Sequence, residues 1–393
     1  MQYNNEFSRH FTPPQDNIPQ GSANFMALPH FKEGTLYIDR DKDVRNGTWG
    51  PYVKIGIVKD AKTPEERIKQ LQTGNPRKVH TVRRYFSPMV ENLETRLHHN
   101  FAEHWVRGEW FEMSEEFVEN ELHKAITQYI VEQEANIENH KKRVELESVA
   151  SDGTIREPVQ EELDLHKKYI EVKTRSDISN AKSQIIKGQI MDELGEKGGV
   201  KGIVQLTKSI SPEKFSEASQ KFDKKKFKEK YPDLYDKYVV KTQSKPKGNL
   251  MMKKVPALKD VNEQLRQQEL ESENKCKDQK MKLYQSEHGE EQTETLKKLH
   301  LEYISLLGEI FDTDLEMERI KSRFAALLGD NEGIKDIITW KRESKSQEKL
   351  DAKIIQEKES EAYNHCIVEV PEKTTPEKIK VSIKVEMCRE YPV

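Results

Sequence analysis

The stretch EGTLYIDRDKDVRNGTWGPYVKIGIV, residues 33–58, contains two short β-prone runs and a turn signal between them. The first run, GTLYID, covers 34–39, and the second, YVKIGIV, covers 52–58. Asn46-Gly47 in the insert is a strong signal for a tight turn. Residues 33–58 therefore predict two strands with a turn-rich insert between them.

A helix with clear end signals is predicted directly after these strands. Thr63 is the expected N-cap, Pro64 occupies the first helical position, and Glu66 lies three residues after the cap. The segment PEERIKQLQ ends at Gly74, where a helix commonly stops. The alternating run VHTVRRYF, residues 79–86, predicts the third strand.

A second helix and an apolar closing element complete the N-terminal unit. Ser87-Pro88 opens the helix, and its apolar positions recur at helical spacing on one face: Val90, Leu93, Leu97 and Phe101. GEWFEMS, residues 108–114, follows. Residues 31–125 therefore predict a compact β-β-α-β-α domain, preceded by a flexible tail over 1–30.

The rest of the chain contains an internal duplication. LGEKGGVKGIVQLTK (194–208) aligns with LGDNEGIKDIITWKR (328–342) at a spacing of 134 residues, and the match resumes after one length difference. This predicts two copies of a helix, a glycine turn, a β-hairpin and a short helix. The predicted organisation is a helix and linker over 126–160, repeat 1 over 161–255, a charged connecting helix over 256–300 and repeat 2 over 301–393. The fold class is α+β, with a small sheet domain before a mainly helical region.

Composition excludes several classes of protein. Charged residues make up 34% of the 393 residues and apolar residues also 34%, and the net charge is −3. No run approaches the roughly 18 apolar residues of a membrane span, and the first residues lack the apolar core of a secretory signal. The three cysteines, Cys276, Cys366 and Cys388, fit neither a disulfide framework nor a zinc spacing. We expect a cytoplasmic protein.

Five polar residues of the predicted domain together could form a phosphodiester site. They are Tyr37 on the first strand, Lys54 on the second, Arg67 on the first helix, and Glu94 and His98 one turn apart on the second helix. A carboxylate can hold a divalent ion, cations can stabilise charge on a phosphate, and a phenol can activate water. Each residue taken alone also fits a structural role: a half-buried strand tyrosine, surface charge, or a solvated helix pair.

The order of these motifs resembles the GIY-YIG nuclease superfamily. The similarity covers about residues 34–113 and is carried by LYI, VKIG, ERIKQL, the helix with Glu94 and His98, and GEWF. It is greatest to the branch with KIG and GEWF, which is described as a phage DNA-binding domain or a meiotically up-regulated gene family. The chain has TLY in the first motif, and Lys54 replaces the second tyrosine.

The resemblance implies roles for the five residues. Glu94 would hold Mg²⁺ or Mn²⁺, Tyr37 would help to deprotonate the attacking water, and Arg67 would steady the phosphate. Lys54 and His98 would assist proton transfer or stabilise charge. Glu109, Trp110 and Phe111 of GEWF are interpreted mainly as a structural closure of the domain.

Six basic residues and no acidic residue lie between Arg67 and Arg84, which favours phosphate contact. The predicted nucleic-acid contacts are Arg77, Lys78, Arg83 and Arg84. The sequence thus predicts a metal-dependent DNA endonuclease whose residues 161–393 bind DNA or a protein partner. Two alternatives stay open: a DNA-binding protein of the same fold without turnover, and a helical interaction scaffold.

Overall fold

The computed structural model describes residues 31–59, 68, 69, 72, 77–289 and 292–385. The tail over 1–30, most of the predicted helix over 63–73 and the last eight residues lie outside the described residues. Arg67 and Cys388 fall in these segments. Ile68, Lys69 and Gln72 are helical, as the sequence predicts for that stretch.

A five-stranded antiparallel sheet forms the N-terminal domain. Its strands are β1 (Gly34–Lys42), β2 (Trp49–Lys59), β3 (Lys78–Ser87), β4 (Trp105–Arg107) and β5 (Trp110–Glu112), and their order is β3-β1-β2-β5-β4. GEWF supplies the strand β5, which pairs with the second predicted strand; Phe111 is completely buried. The predicted closing element is therefore an integral part of the sheet.

Helix α1 (Val90–Asn100) covers one face of this sheet. Just before this helix, the Ser87 hydroxyl accepts a hydrogen bond from the Met89 amide at 3.1 Å and donates one to Gln133 at 2.7 Å. The apolar residues predicted to lie on one face of this helix, Val90, Leu93, Leu97 and Phe101, pack in the domain core. The buried apolar residues of this core are Leu36, Ile38, Val53, Ile55, Val90, Leu93, Leu97, Phe111, Met113, Val118, Leu122 and Ile126.

A short turn, Ala102–His104, connects α1 to β4, and after β5 the chain leaves the sheet through a helical segment that begins at Glu115. A π-helical turn (Val118–Leu122) leads into α2 (His123–Leu146). Two much longer helices follow in the mainly helical region: α3 (Gln160–Glu193) and α8 (Glu294–Leu328), which pack along each other. Gly308 of α8 lies against α1, because a Cβ there would be 3.3 Å from the His99 carbonyl oxygen. The sheet domain therefore packs against the mainly helical region through the contact between α1 and α8.

The two halves of the helical region are built alike. The remaining helices are α4 (Lys224–Lys230), α5 (Pro232–Tyr238), α6 (Leu258–Val261), α7 (Glu263–Leu283), α9 (Ala352–Lys358) and α10 (Ser360–His365). Helix α2 packs on α8 just as α7 packs on α3. The segment 256–300 was predicted to be a connecting helix between the repeats. It contains α7, which belongs to the second half and is the counterpart of α2 in the first half.

The short strands of the two halves also correspond. They are β6 (Ile155–Arg156), β7 (Gly199–Val200), β8 (Val204–Ser211), β13 (Gly333–Ile334) and β14 (Ile338–Thr339). In the first hairpin Val200 pairs with Val204, and in the second Ile334 pairs with Ile338. The two hairpins therefore have the same topology, as the duplication predicts.

The strands beyond the hairpins are exchanged between the halves. They are β9 (Lys214–Ser216), β10 (Ser219–Phe222), β11 (Val239–Gln243), β12 (Met251–Met252), β15 (Ser346–Leu350), β16 (Ile367–Val370), β17 (Lys373–Thr375) and β18 (Lys378–Val385). Strands β8, β9 and β10 pair with β18, β17 and β16 in one continuous register, from Val204–Val385 to Phe222–Ile367. We call this antiparallel pair, 204–222 with 367–385, ribbon A.

A second antiparallel pair, 239–252 with 338–350, is ribbon B. It runs from Val239–Leu350 to Met252–Ile338, with a one-residue register shift near Pro246. Both ribbons extend from the hairpins next to the long helices α3 and α8 to a second hydrophobic cluster, which we call the distal cluster and which is formed by α4, α5, α9 and α10. Each half of the chain therefore goes out along one ribbon and returns along the other. The buried residues of the distal cluster are Phe222, Phe227, Tyr235, Leu350, Ile355, Ala362 and Cys366.

Candidate active site

Tyr37 and Gly56 face each other in the middle of the N-terminal sheet. They are paired residues of β1 and β2, and Tyr37 is 1% exposed. A Cβ added to Gly56 would lie 2.6 Å from the Tyr37 hydroxyl oxygen and 2.7 Å from its Cζ. The phenol therefore lies directly on the glycine, which has no side chain to displace it.

Lys54 lies on the same face of β2 as Gly56 and is also buried, with 3% exposure. Its ammonium forms an ion pair with the Glu109 carboxylate and lies 6.0 Å from the centre of the Tyr37 ring. A buried lysine keeps its charge only when a partner compensates for lost hydration. Glu109, the acidic residue of GEWF, provides that partner.

Sequence reasoning missed this role of Glu109, since GEWF was interpreted mainly as a structural closure. Glu109 is brought to Lys54 because β5 pairs with β2: the Ile55 amide donates to the Glu109 carbonyl oxygen at 3.0 Å, and Lys54 is opposite Trp110. The signal in the sequence was Lys54 itself, a lysine among the apolar residues of a predicted strand, because a lysine that becomes buried there requires an acidic neighbour. The sequence alone could not say which strand supplies it.

His98 reaches the edge of β2 from α1. Its Nε2 lies 3.1 Å from the Ile55 carbonyl oxygen, beyond the end of β5, and its ring packs against Trp105 and Phe111. A carbonyl oxygen only accepts, so Nε2 carries the proton and Nδ1 keeps the lone pair of the neutral ring. Burial lowers the pKa of His98 to about 4, and the positive charge of Lys54 acts in the same direction.

Glu94 lies one helical turn before His98 on α1 and is half-buried. Arg67, the fifth predicted site residue, lies outside the described residues. The structure thus brings Tyr37, Lys54 and His98 together around the backbone of Ile55 and Gly56, and it places Glu94 on the helix that supplies His98.

The donor chemistry is compatible with one hard cation. Among residues 31–59, 77–289 and 292–385, no group of three or more His, Cys, Asp or Glu side chains could hold a metal ion. Mg²⁺ commonly keeps several waters and binds through one or two carboxylates together with substrate phosphates. A single carboxylate such as Glu94 is enough for that mode of binding.

The predicted basic contacts lie on or just before β3, and Arg77 and Arg83 among them form ion pairs. Arg77 contacts Asp41 at 2.6 Å and Asp43 at 3.7 Å, while Arg83 contacts Glu119 at 2.5 Å. Lys78 is exposed, and Arg84 is paired across the sheet with Tyr37. Acidic residues distant in sequence therefore neutralise part of a run that has no acidic residue of its own.

Residues 34–130 match the T5orf172 domain, a domain linked to a GIY-YIG-like endonuclease fold. This match includes Tyr37, Lys54, Glu94, His98 and Glu109 and is compatible with a nuclease-like DNA-binding domain. No curated protein and no solved structure matches the chain. In the described part of the chain, none of the helices has the length and apolar character needed to cross a membrane.

Proposed function

We propose that the N-terminal domain hydrolyses phosphodiester bonds of DNA, as a GIY-YIG-type endonuclease of the KIG/GEWF branch. The observation that carries the proposal is the convergence of Tyr37, Lys54 and His98 on the Ile55–Gly56 backbone, inside the segment that matches the T5orf172 domain. These residues are distant in sequence, and a purely structural sheet does not require a buried lysine and a buried tyrosine on one face. Their combination supports chemistry on a charged substrate.

In this proposal each side chain has one task. Glu94 holds Mg²⁺ or Mn²⁺, which when bound supplies a positive charge to the scissile phosphate. Tyr37 loses its own proton to solvent before the attack, the phenolate then takes a proton from the attacking water and becomes a phenol again, and Arg67 binds the phosphate. Lys54, fixed by Glu109, supplies a positive charge near the phenol. His98 is neutral and has its lone pair on Nδ1, so it can take up or pass on a proton there.

Glu94→Gln provides the direct test. We expect plasmid and linear DNA to be nicked or cut by the unaltered protein with Mg²⁺ and not with EDTA, and Glu94→Gln to abolish cleavage because it removes the anionic anchor of the metal. Glu103→Gln is the matched control: it changes the net charge equally at an exposed carboxylate of the same domain. Normal cleavage by Glu94→Gln would contradict the assignment of this site.

A DNA-binding domain without turnover is the second candidate. It is favoured by one observation: Lys54 replaces the second tyrosine of the family and is held in an ion pair with Glu109. Under this alternative the unaltered protein binds DNA with and without Mg²⁺ but leaves it intact. The same assay therefore separates the two candidates.

A further inference from the structure

Ribbons A and B are exposed arms rather than parts of a core. All residues of β9 are exposed, as are all but the first residue of β11 and all but the last of β15. In the described part of the chain, the strands of ribbon A form sheets separate from those of ribbon B. An isolated two-stranded ribbon is marginally stable in water, so each arm depends on the cores at its two ends. Most side chains between those ends are exposed to solvent.

The two ribbons occupy equivalent positions but carry different charges. Ribbon A contains seven lysines and five glutamates. Ribbon B contains seven basic residues and only two glutamates. Charged side chains on exposed strand edges prevent the edge from pairing with a strand of another molecule. Ribbon A has enough charged side chains for this purpose, although its lysines and glutamates are nearly balanced. The excess of positive charge on ribbon B therefore requires a different reason.

The two glutamates of ribbon B are already neutralised. Glu348 contacts Lys228 of the distal cluster at 2.9 Å, and Glu343 contacts Lys341 at 2.7 Å. Arg342 is buried and donates to the Leu146 and Gly329 carbonyl oxygens. Four exposed lysines form no ion pair with any described residue: Lys245, Lys247, Lys345 and Lys349. Lys241 is also exposed, but it lies opposite Glu348 on the neighbouring strand.

One face of ribbon B combines these lysines with neutral hydrogen-bonding groups. Thr242 pairs with Gln347 across the ribbon. Lys345 and Lys349 lie two residues before and two residues after Gln347, so their side chains are on the same face as that of Gln347. Ser244 lies opposite Lys345, and its hydroxyl accepts the Lys345 amide at 3.0 Å. This face has lysines, hydroxyls and an amide but no carboxylate between Val240 and Ser244. Such a surface suits an anionic backbone of regular shape.

We propose that ribbon B binds the phosphate backbone of duplex DNA. The major groove is about 12 Å wide and admits a two-stranded ribbon. Lysine contacts release counterions from the duplex, which is the main source of affinity in sequence-independent binding. At the rise of a β-strand the fourteen residues 239–252 would span about 45 Å, so the arm can follow DNA over several base pairs. This second contact goes beyond the proposed catalytic site and would raise the effective concentration of DNA near it.

A matched pair of triple variants tests the proposal on the full chain. The first variant is Lys245→Gln/Lys345→Gln/Lys349→Gln in ribbon B. The second is Lys214→Gln/Lys373→Gln/Lys378→Gln in ribbon A, which removes the same charge from exposed lysines of the equivalent arm. Affinity for a 30-base-pair duplex is measured by fluorescence anisotropy in EDTA over a range of salt concentrations. Binding in EDTA is independent of cleavage, so failure here and failure of the nuclease assignment are distinguishable.

We expect the ribbon B variant to lower the log–log salt slope by about 0.9 for each lysine–phosphate interaction that it removes, up to about 2.7, and the ribbon A variant to keep the parental slope. Equal slopes in both variants would overturn the proposal. So would a loss of binding confined to single-stranded DNA or RNA, because the ribbon would then not bind a duplex. Unchanged thermal unfolding of both variants confirms that the lysines are compared in the same fold.

Discussion

Gly56 and Tyr37 show how one missing side chain shapes the candidate site. The phenol occupies the space in which any other residue at position 56 would have its Cβ. The site thus depends on a residue that carries no chemistry of its own. The dependence is local, because Gly56 lies in a strand whose neighbours Ile55 and Val58 are already buried in the sheet.

Gly56→Ala is expected to lower DNA cleavage by at least about tenfold, because a Cβ 2.6 Å from the hydroxyl oxygen must displace the phenol. Tyr37→Phe is expected to lower it as well. Since both changes act on the same group, the double variant should lose little more than the worse single variant. Rates of plasmid nicking by the three proteins check this, and losses that multiply would show that Gly56 acts elsewhere.

His98 should make the stability of the domain depend on pH. Its pKa is about 4 in the folded protein and near 6.5 in the unfolded chain, so the unfolded chain binds more protons between these values. Stability is therefore full above pH 6.5 and falls as the pH drops toward 4. Between pH 7 and pH 5 the loss from this residue is about 2 kcal/mol.

His98→Gln should remove that loss while keeping a donor for the Ile55 carbonyl oxygen. The measurement is urea unfolding at pH 7 and pH 5, followed by the fluorescence of Trp49, Trp105 and Trp110, which all lie in the sheet domain. His140→Gln is the control. Burial also lowers the pKa of His140 to about 4, but it lies between α2 and α8. An unaltered pH dependence in His98→Gln would contradict the neutral buried state.

At the scale of elements, β3 shows that consecutive basic residues in the sequence do not all contribute free positive charge to the surface. Arg77 and Lys78 are adjacent and carry the same charge, but Arg77 is held by Asp41 and Asp43 from the β1 side of the insert. Lys78 is exposed and makes no ion pair with the described residues. The exposed Arg83–Glu119 pair is weak and can exchange its carboxylate for a phosphate.

Lys78→Ala and Arg77→Ala should therefore have opposite consequences. Lys78→Ala is expected to lower the salt slope of DNA binding by about 0.9 with unchanged stability. Arg77→Ala should keep the slope but destabilise the domain by about 1–3 kcal/mol, because it removes a partner from the buried Asp41. Anisotropy titrations measure the salt slope of DNA binding, and urea unfolding measures the stability of each variant. If Arg77→Ala lowers the salt slope as much as Lys78→Ala does, then Arg77 leaves Asp41 and Asp43 to bind DNA.

At the scale of the whole molecule, the two halves of residues 123–385 are related by duplication and joined by exchange of strands. Asp223 and Asp351 cap α4 and α9 in the same way, each accepting an amide two residues on at 2.9 Å. Trp340 and Leu206 occupy equivalent positions of the two hairpins, with 1% and 7% exposure. Trp340 also donates its indole N–H to the Gly248 carbonyl oxygen at 3.2 Å, across ribbon B.

Trp340→Ala should therefore be more destabilising than Leu206→Ala. The expected costs are about 3–5 kcal/mol for the tryptophan, which also loses a hydrogen bond, and about 2–3 kcal/mol for the leucine. Thermal and urea unfolding of the two single variants provide the comparison. Equal costs would show that the second copy gains no stability from its larger residue.

The sequence by itself determined the local structure of the sheet domain and the existence of the duplication. Alternating and helical periodicities arise from short-range geometry, so the three strands, α1 and the equivalence of residues 194–208 and 328–342 could be predicted. The match to the T5orf172 domain covers residues 34–130, which include these strands and α1.

Only the tertiary structure decided which distant groups meet. It paired Lys54 with Glu109 and Arg77 with Asp41, and it buried Tyr235 in the distal cluster. It also showed that the two copies exchange strands, which turns polar, low-periodicity segments into ribbons A and B. No local pattern encodes these outcomes, because ion pairs and exposed antiparallel ribbons depend on which segment lies opposite, and that is fixed by burial of the cores at their ends.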